Sequence, residues 1–359
     1  MRENIIELPD YPIPPGETIK ETIEANGWSQ TELARRMARP IKTVNEIIHG
    51  KAAITADTAL QLERVLGVTS KFWLNLEANY QMIKAKAEAD KKLALEFKQA
   101  VNFPYAQMAK MGWVKRTQDI KEKTSELLNF FSIVSFNNLK MVEDISYRKD
   151  AMRKASPHSL TAWARRGEIL AQSIQTKKYD KTGFIDSLKD IKSLTRAANQ
   201  GFARELQNIC AERGVAVVFV PHLDQTFVNG AARWLKPDKA LIQLTIRYKR
   251  SDIFWFSFFH EAAHILLHGK LNEFIDVNDQ AKSKLENEAD NWASDFLINP
   301  DDYVIFRGKG DFSSQSIQQF ASEQNVASEI VIGRLLHDRL ISYSGWIKYL
   351  PKLEWKNNE

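Results

Sequence analysis

The sequence predicts a multidomain chain with an all-α N-terminal region, a helical middle segment and an α+β domain in which a small β-sheet precedes a long apolar helix. Three observations carry this expectation. Residues 15–80 hold a succession of short capped helical patterns, residues 84–200 interleave lysine with glutamate, and three apolar runs at 215–220, 232–235 and 240–246 lead into "FWFSFFHEAAHILLHG". The expected boundaries are 1–83, 84–200, 201–345 and a surface tail at 346–359.

A chain of 359 residues suits two or three cores, and 44% hydrophobic with 26% charged residues is a globular composition. Apolar runs such as "VAVVFV" are too short or too interrupted by charge to span a bilayer, and "MRENIIELPD" has no basic stretch followed by an apolar one. We therefore expect a cytoplasmic protein with no membrane partner. The single cysteine, Cys210, excludes an intrachain disulfide and an all-cysteine metal cluster. The net charge of +5 is uneven: residues 1–83 carry −2, residues 84–210 carry +10 and residues 211–359 carry −3. A helical face with mixed Lys and Glu is ordinarily solvated, so the middle segment needs no charged partner to explain it.

The first region reads as five helices. Ile19 and Ile23 fall four apart after Pro14 and Pro15, and "ANG" ends their helix. Ser29 caps the second, with Glu32 three residues on to return the bond, and Leu33 and Met37 facing inward. Ile41, Val44, Ile47 and Ile48 give the buried stripe of the third, which ends at Gly50. Thr55 caps the fourth, running to Leu66, and Phe72, Trp73, Leu76 and Tyr80 mark the fifth. Two short helices joined by a tight turn can place the second in a DNA major groove. Lys42, Thr43 and Asn45 would lie on its exposed side, with Arg39 and Lys51 beside it as phosphate contacts.

"PGETIKETIEANGWSQTELA" and "VNEIIHGKAAITADTALQLERVLGVTSKFWLNLEANY" resemble the XRE-type helix-turn-helix of HigA-like antitoxins. The resemblance implies operator DNA as a partner, a homodimer, and binding to a toxin. It departs at "ARP", residues 38–40, where those proteins commonly show Gly-Val-Ser.

The middle segment shows a charged entry helix, "IKAKAEADKKLALEFKQA", then "NFPYAQMAKMGWV" as a break and further helices to Gly214. Trp163 sits in an apolar stripe and reads as packing. Nothing in this segment matches a nucleotide loop or a metal cluster.

The third region carries the chemistry. "GVAVVFVPHL", "ARWL" and "ALIQLTI" read as strands, followed by a helix from about Ser251 to Leu267. On that helix His260 and His264 are one turn apart on the same face, so both imidazoles reach one ion, and Glu261 falls beside them as a base for water. A five-residue motif needs a third ligand. "SKLENEADNWASDFLINP", residues 283–300, offers Glu286, Glu288 and Asp290 on a helix with an apolar face. Glu286 and Asp290 are four apart, so one can ligate while the other accepts from the far nitrogen of a ligating histidine. Glu288 points about 160° away from that line and is the second choice.

"FFHEAAHILLHGK" and "ENEADNWASDFLINP" resemble the ImmA/IrrE family of zinc metallopeptidases, whose domain is zincin-like with an HExxH helix. The resemblance runs from about Gly201 to Pro300. It implies Zn2+ held by His260, His264 and Glu286, with Glu261 as the catalytic base and a repressor, toxin or regulator as protein substrate. By its spacing Asp290 then accepts from the far nitrogen of a ligating histidine, and His268 either supports the ligands or packs against the helix end, where a histidine suits the dipole. Oxyanion donors remain open among Arg247, Tyr248 and His222. The functional expectation is a DNA-binding regulator with a zinc endopeptidase domain whose activity can depend on a partner. The alternative is a non-enzymatic HigA-like antitoxin and repressor with a structural or sensory metal site.

Overall fold

The computed structural model describes residues 13–139, 155–196, 201–269 and 279–354, and the absence of a leader pattern expected at residues 1–10 falls outside them. The chain divides into two compact units, Met1–Phe97 and Lys98–Glu359.

In the first unit, helices α1 (Pro15–Ala25), α2 (Gln30–Arg36), α3 (Ile41–Ile48) and α4 (Ala56–Leu66) follow the expected order. Ile19, Ile23, Leu33, Met37, Val44, Ile47, Leu62 and Trp73 form the core, and burial of each such side chain contributes roughly 1.5–3 kcal/mol. Thr55 caps α4 as expected, and Ser29 Oγ accepts from the Glu32 amide at 3.2 Å. The return bond from Glu32 is not made. Its carboxylate instead accepts from Arg35 and Arg36, which hold it down to about 2. Two arginines within a turn compete better for a carboxylate than one backbone amide does.

The expected fifth helix and the charged entry helix are one element, α5 (Ser70–Ala100), because no Gly or Pro interrupts "NYQMIKAKAEAD". The unit boundary falls just before its last turn.

The second unit begins with α6 (Tyr105–Lys110), inside the stretch expected to break the helical pattern, and α7 (Ile120–Phe131). Then come α8 (Pro157–Ser173), α9 (Lys181–Leu194) and α10 (Phe202–Ala211). Strands β1 (Val215–Phe219), β2 (Gly230–Lys236) and β3 (Lys239–Leu244) form a sheet of order β1-β3-β2. β1 runs parallel to β3, pairing Val215 with Ala240, while β2 runs antiparallel to it, pairing Gly230 with Leu244. α8 is tied to the sheet by Trp163, whose Nε1 donates to the Val220 carbonyl at 3.2 Å, and by Gln243, whose amide donates to the Trp163 carbonyl at 2.7 Å. Gly167 makes room for that amide, since a Cβ there would fall 1.8 Å from Gln243 Oε1.

Helix α11 (Ser251–Ala263) packs on β2 and β3 and is apolar all round, as a central helix must be. It continues as a π turn, His264–His268. α12 (Asp279–Leu297) packs across it, and α13 (Pro300–Lys309), α14 (Ser314–Glu323) and α15 (Ser328–His337) close the core. Ser313 caps α14. A one-turn helix, α16 (Tyr343–Trp346), runs into a final 3₁₀ turn, Ile347–Tyr349. Within the stretch expected to be a surface tail, Leu350 and Leu353 are buried, and Lys352 bridges to Arg250 at the start of α11. Two leucines spaced three apart outweigh the exposed lysines around them.

Ala38 ends α2 with a φ of 54°. Its amide donates to the Arg35 carbonyl and the next amide, of Arg39, to Ala34, so this is the left-handed helix stop that glycine normally occupies. An L side chain there costs about 1 kcal/mol. Ala38→Gly is expected to raise the stability of the first unit by about 1 kcal/mol in thermal or denaturant unfolding; a loss of stability would show that the methyl group contributes packing.

Candidate metal centre and helix-turn-helix surface

His260 and Glu261 on α11 and His264, the first residue of the π turn, are all buried, and the Phe256 ring lies 6.3 Å from that of His260. Buried polar groups need partners, and α12 supplies them. His260 Nε2 and His264 Nε2 lie 3.1 Å apart, and the Glu286 carboxylate faces both, at 3.4 Å and 3.3 Å. Asp290, one turn further along α12, sits 2.8 Å from His260 Nδ1 on the opposite side of that ring. Glu286 and Asp290 therefore divide the two positions that their spacing offered.

These three residues can hold a metal ion. Their ligand atoms all lie within 4.8 Å of one another. The three separations of 3.1, 3.3 and 3.4 Å match the edge of about 3.3 Å that a tetrahedron has when zinc–nitrogen and zinc–oxygen bonds are about 2.0–2.1 Å. The donor set, two neutral imidazoles and a carboxylate with no thiolate, is one that leaves a fourth position open.

The electrostatics follow from the same contacts. Burial pushes His260 toward its neutral form, but Asp290 and Glu286 outweigh it and raise its pKa. Burial pushes Glu286 up, but both imidazoles outweigh it and lower the carboxyl's pKa.

Glu261 stands beside the set on the wall of a cleft of about 1250 Å³. Glu261, His260, Glu286 and Asp290 share that wall with Tyr248 and Phe256. Gly230, at the start of β2, lets the strand approach: a Cβ there would lie 2.8 Å from Glu261 Cγ and Oε1. Its role was not legible from the sequence, where "VNGAARWL" signals only a strand entry.

Of the proposed oxyanion donors, Tyr248 lines the cleft, and Arg247 stacks against Tyr248 and Phe227 with its guanidinium 5.0 Å and 4.8 Å from the two rings. His222 is not among the cleft's lining residues. His268 lies behind His264, with the two Nδ1 atoms 2.9 Å apart, and its own Nε2 is 3.3 Å from Glu288. Glu288 thus faces away from the metal set, as its helical angle indicates.

In the first unit, Lys42 and Lys51 are exposed, and Thr43 and Asn45 are half-buried on α3. Arg39 is engaged by Gln61 and Asp57. Arg35 and Arg36 share Glu32.

Residues 19–73, which span α1 to the start of α5, match the helix-turn-helix family. Through its first unit the chain belongs to that family. It is 33% identical over 76 residues to YddM, an uncharacterised HTH-type transcriptional regulator of Escherichia coli K12, covering 81% of that protein and 21% of this chain. It is 37% identical over 67 residues to the antitoxin HigA-1 of Vibrio cholerae, covering 63% of that protein and 18% of this chain. A solved structure of a HigA-family addiction module antidote protein from Coxiella burnetii matches at 39% identity over 24% of this chain and 95% of that one, with a TM-score of 0.22.

Proposed function

We propose that this protein is a HigA-type regulator that binds operator DNA as a homodimer and acts as an antitoxin. The observation that carries the reading is the helix-turn-helix match over residues 19–73, joined to relatives described as a transcriptional regulator and an antitoxin. α3 is the reading helix. Lys42, at its exposed start, and Lys51, just past its end, neutralise phosphates, and the half-buried Thr43 and Asn45 are assigned to base edges, which requires Asn45 to turn its buried Oδ1 outward. Arg39, already held by Asp57 and Gln61, orients the approach to α3 rather than adding a mobile cation. Lys42→Ala is expected to weaken binding to the DNA upstream of its own coding sequence, most at low salt, and to reduce the slope of log affinity against log salt by about one. Unchanged affinity and slope in fluorescence anisotropy would remove α3 from the interface.

A second reading concerns the other unit and is favoured by the place of Glu261 beside the histidines on the cleft wall. We infer that this unit is a zinc-dependent endopeptidase of the ImmA/IrrE kind, with His260, His264 and Glu286 as the holding residues. When bound, zinc supplies Lewis acidity and makes water nucleophilic near neutral pH. Glu261 takes the proton of the attacking water and returns it to the leaving amine. The cleft admits an extended segment of a repressor, toxin or regulator. Asp290 keeps the proton of His260 on Nδ1. Glu261→Gln is expected to lower cleavage of a denatured-protein peptide library at least about 100-fold while leaving zinc content unchanged. New termini appearing at the parent rate in that variant, read by mass spectrometry, would assign the site a structural or sensory role.

A further inference from the structure

Two of the three histidines on the central helix face the metal set, and the third, His268, does not. It is nonetheless fully enclosed, at 3% exposure, and it makes two polar contacts in series. His264 Nδ1 meets His268 Nδ1 at 2.9 Å, and His268 Nε2 meets Glu288 Oε2 at 3.3 Å, where Lys284 also comes within 3.9 Å of the other carboxylate oxygen.

The proton positions along this series are determined by its two ends. Glu288 is a carboxylate and can only accept, so the proton of His268 belongs on Nε2. His268 Nδ1 is then a lone pair and can only accept, so His264 must carry its proton on Nδ1. That leaves the Nε2 lone pair of His264 directed at Glu286 and His260 Nε2, into the metal set. We propose that His268 and Glu288 are positioning residues: a carboxylate–histidine relay that holds ligand His264 in its metal-binding tautomer. Asp290 does the same for His260 from the other side.

The backbone makes the relay possible. His264 through His268 form a π turn, across which the two Nδ1 atoms meet at 2.9 Å. π turns within α-helices concentrate at functional sites. Glu288 reaches this side because it lies away from Glu286 on α12, the same geometry that keeps it out of the metal set.

The inference rests on the metal reading, and its test separates the two. Zinc affinity is measured on the full chain by competition with a chromogenic chelator, for the parent and for His268→Leu, His268→Asn, Glu288→Ala and Glu288→Gln. His268→Leu, which fills the space without an acceptor, is expected to lose about 10–100-fold in affinity. His268→Asn places an oxygen where Nδ1 was, and it should retain most of the affinity. Glu288→Gln keeps an accepting oxygen and should exceed Glu288→Ala. Thermal unfolding of the metal-free proteins checks that each folds, and the Glu288 pair, at the half-exposed end, decides the matter if a His268 variant does not fold. If His268 only packs, the order reverses: leucine matches the parent and asparagine is the worse. A parent that binds zinc alongside an unaffected His268→Leu overturns the relay alone, whereas a parent that binds none overturns the metal reading and the relay with it.

Discussion

Everything in the second unit is organised around the burial of three polar side chains, His260, Glu261 and His264, in the middle of its most apolar helix. A buried imidazole or carboxylate left without partners costs several kcal/mol, so the surrounding elements are placed to answer them. α12 brings Glu286 and Asp290 to one face, the π turn brings His268 behind His264, and β2 begins with a glycine so that its backbone can approach Glu261. Replacing those groups with apolar ones would give a simpler core. Their convergence within 4.8 Å is what lets His260, His264 and Glu286 hold one ion.

The helix pattern of the first unit and the strand and helix pattern around the histidines were legible because both rest on local signals: caps at Ser29 and Thr55, apolar spacing, and Gly or Pro at the ends. The metal set was legible for the same reason, since His260 and His264, and Glu286 and Asp290, are each one helical turn apart. What escaped was non-local or depended on competition. Glu32 chose two arginines over the Ser29 amide, and α5 ran on because no residue stops it. Leu350 and Leu353 found a place in the core that their lysine-rich surroundings concealed. Gly230 and Glu288 acquire meaning only once tertiary packing sets them against Glu261 and His268.

The relatives account for the first unit and leave the rest of the chain to its own chemistry, since they align with only 21% and 18% of it. In the first unit the cations beside α3 are few and partly committed, Arg35 and Arg36 to Glu32 and Arg39 to Asp57. DNA affinity on the proposed reading therefore depends heavily on Lys51 and on Lys42, which is 85% exposed and only loosely paired with Glu46 at 4.0 Å, and on two copies acting together. In the second unit the proposed economy is one of protons: on that reading Asp290 and the Glu288–His268 pair each leave one imidazole lone pair for a cation held with Glu286.

The account stands on the convergence of His260, His264 and Glu286, and elemental analysis tests that most directly. The measurement is metal content of the full chain, purified without a histidine tag or added metal, for the parent and for Glu286→Ala. The account predicts about one zinc per chain in the parent and its loss when the carboxylate is removed. No zinc in the parent, even after reconstitution, or full retention in Glu286→Ala, would contradict it.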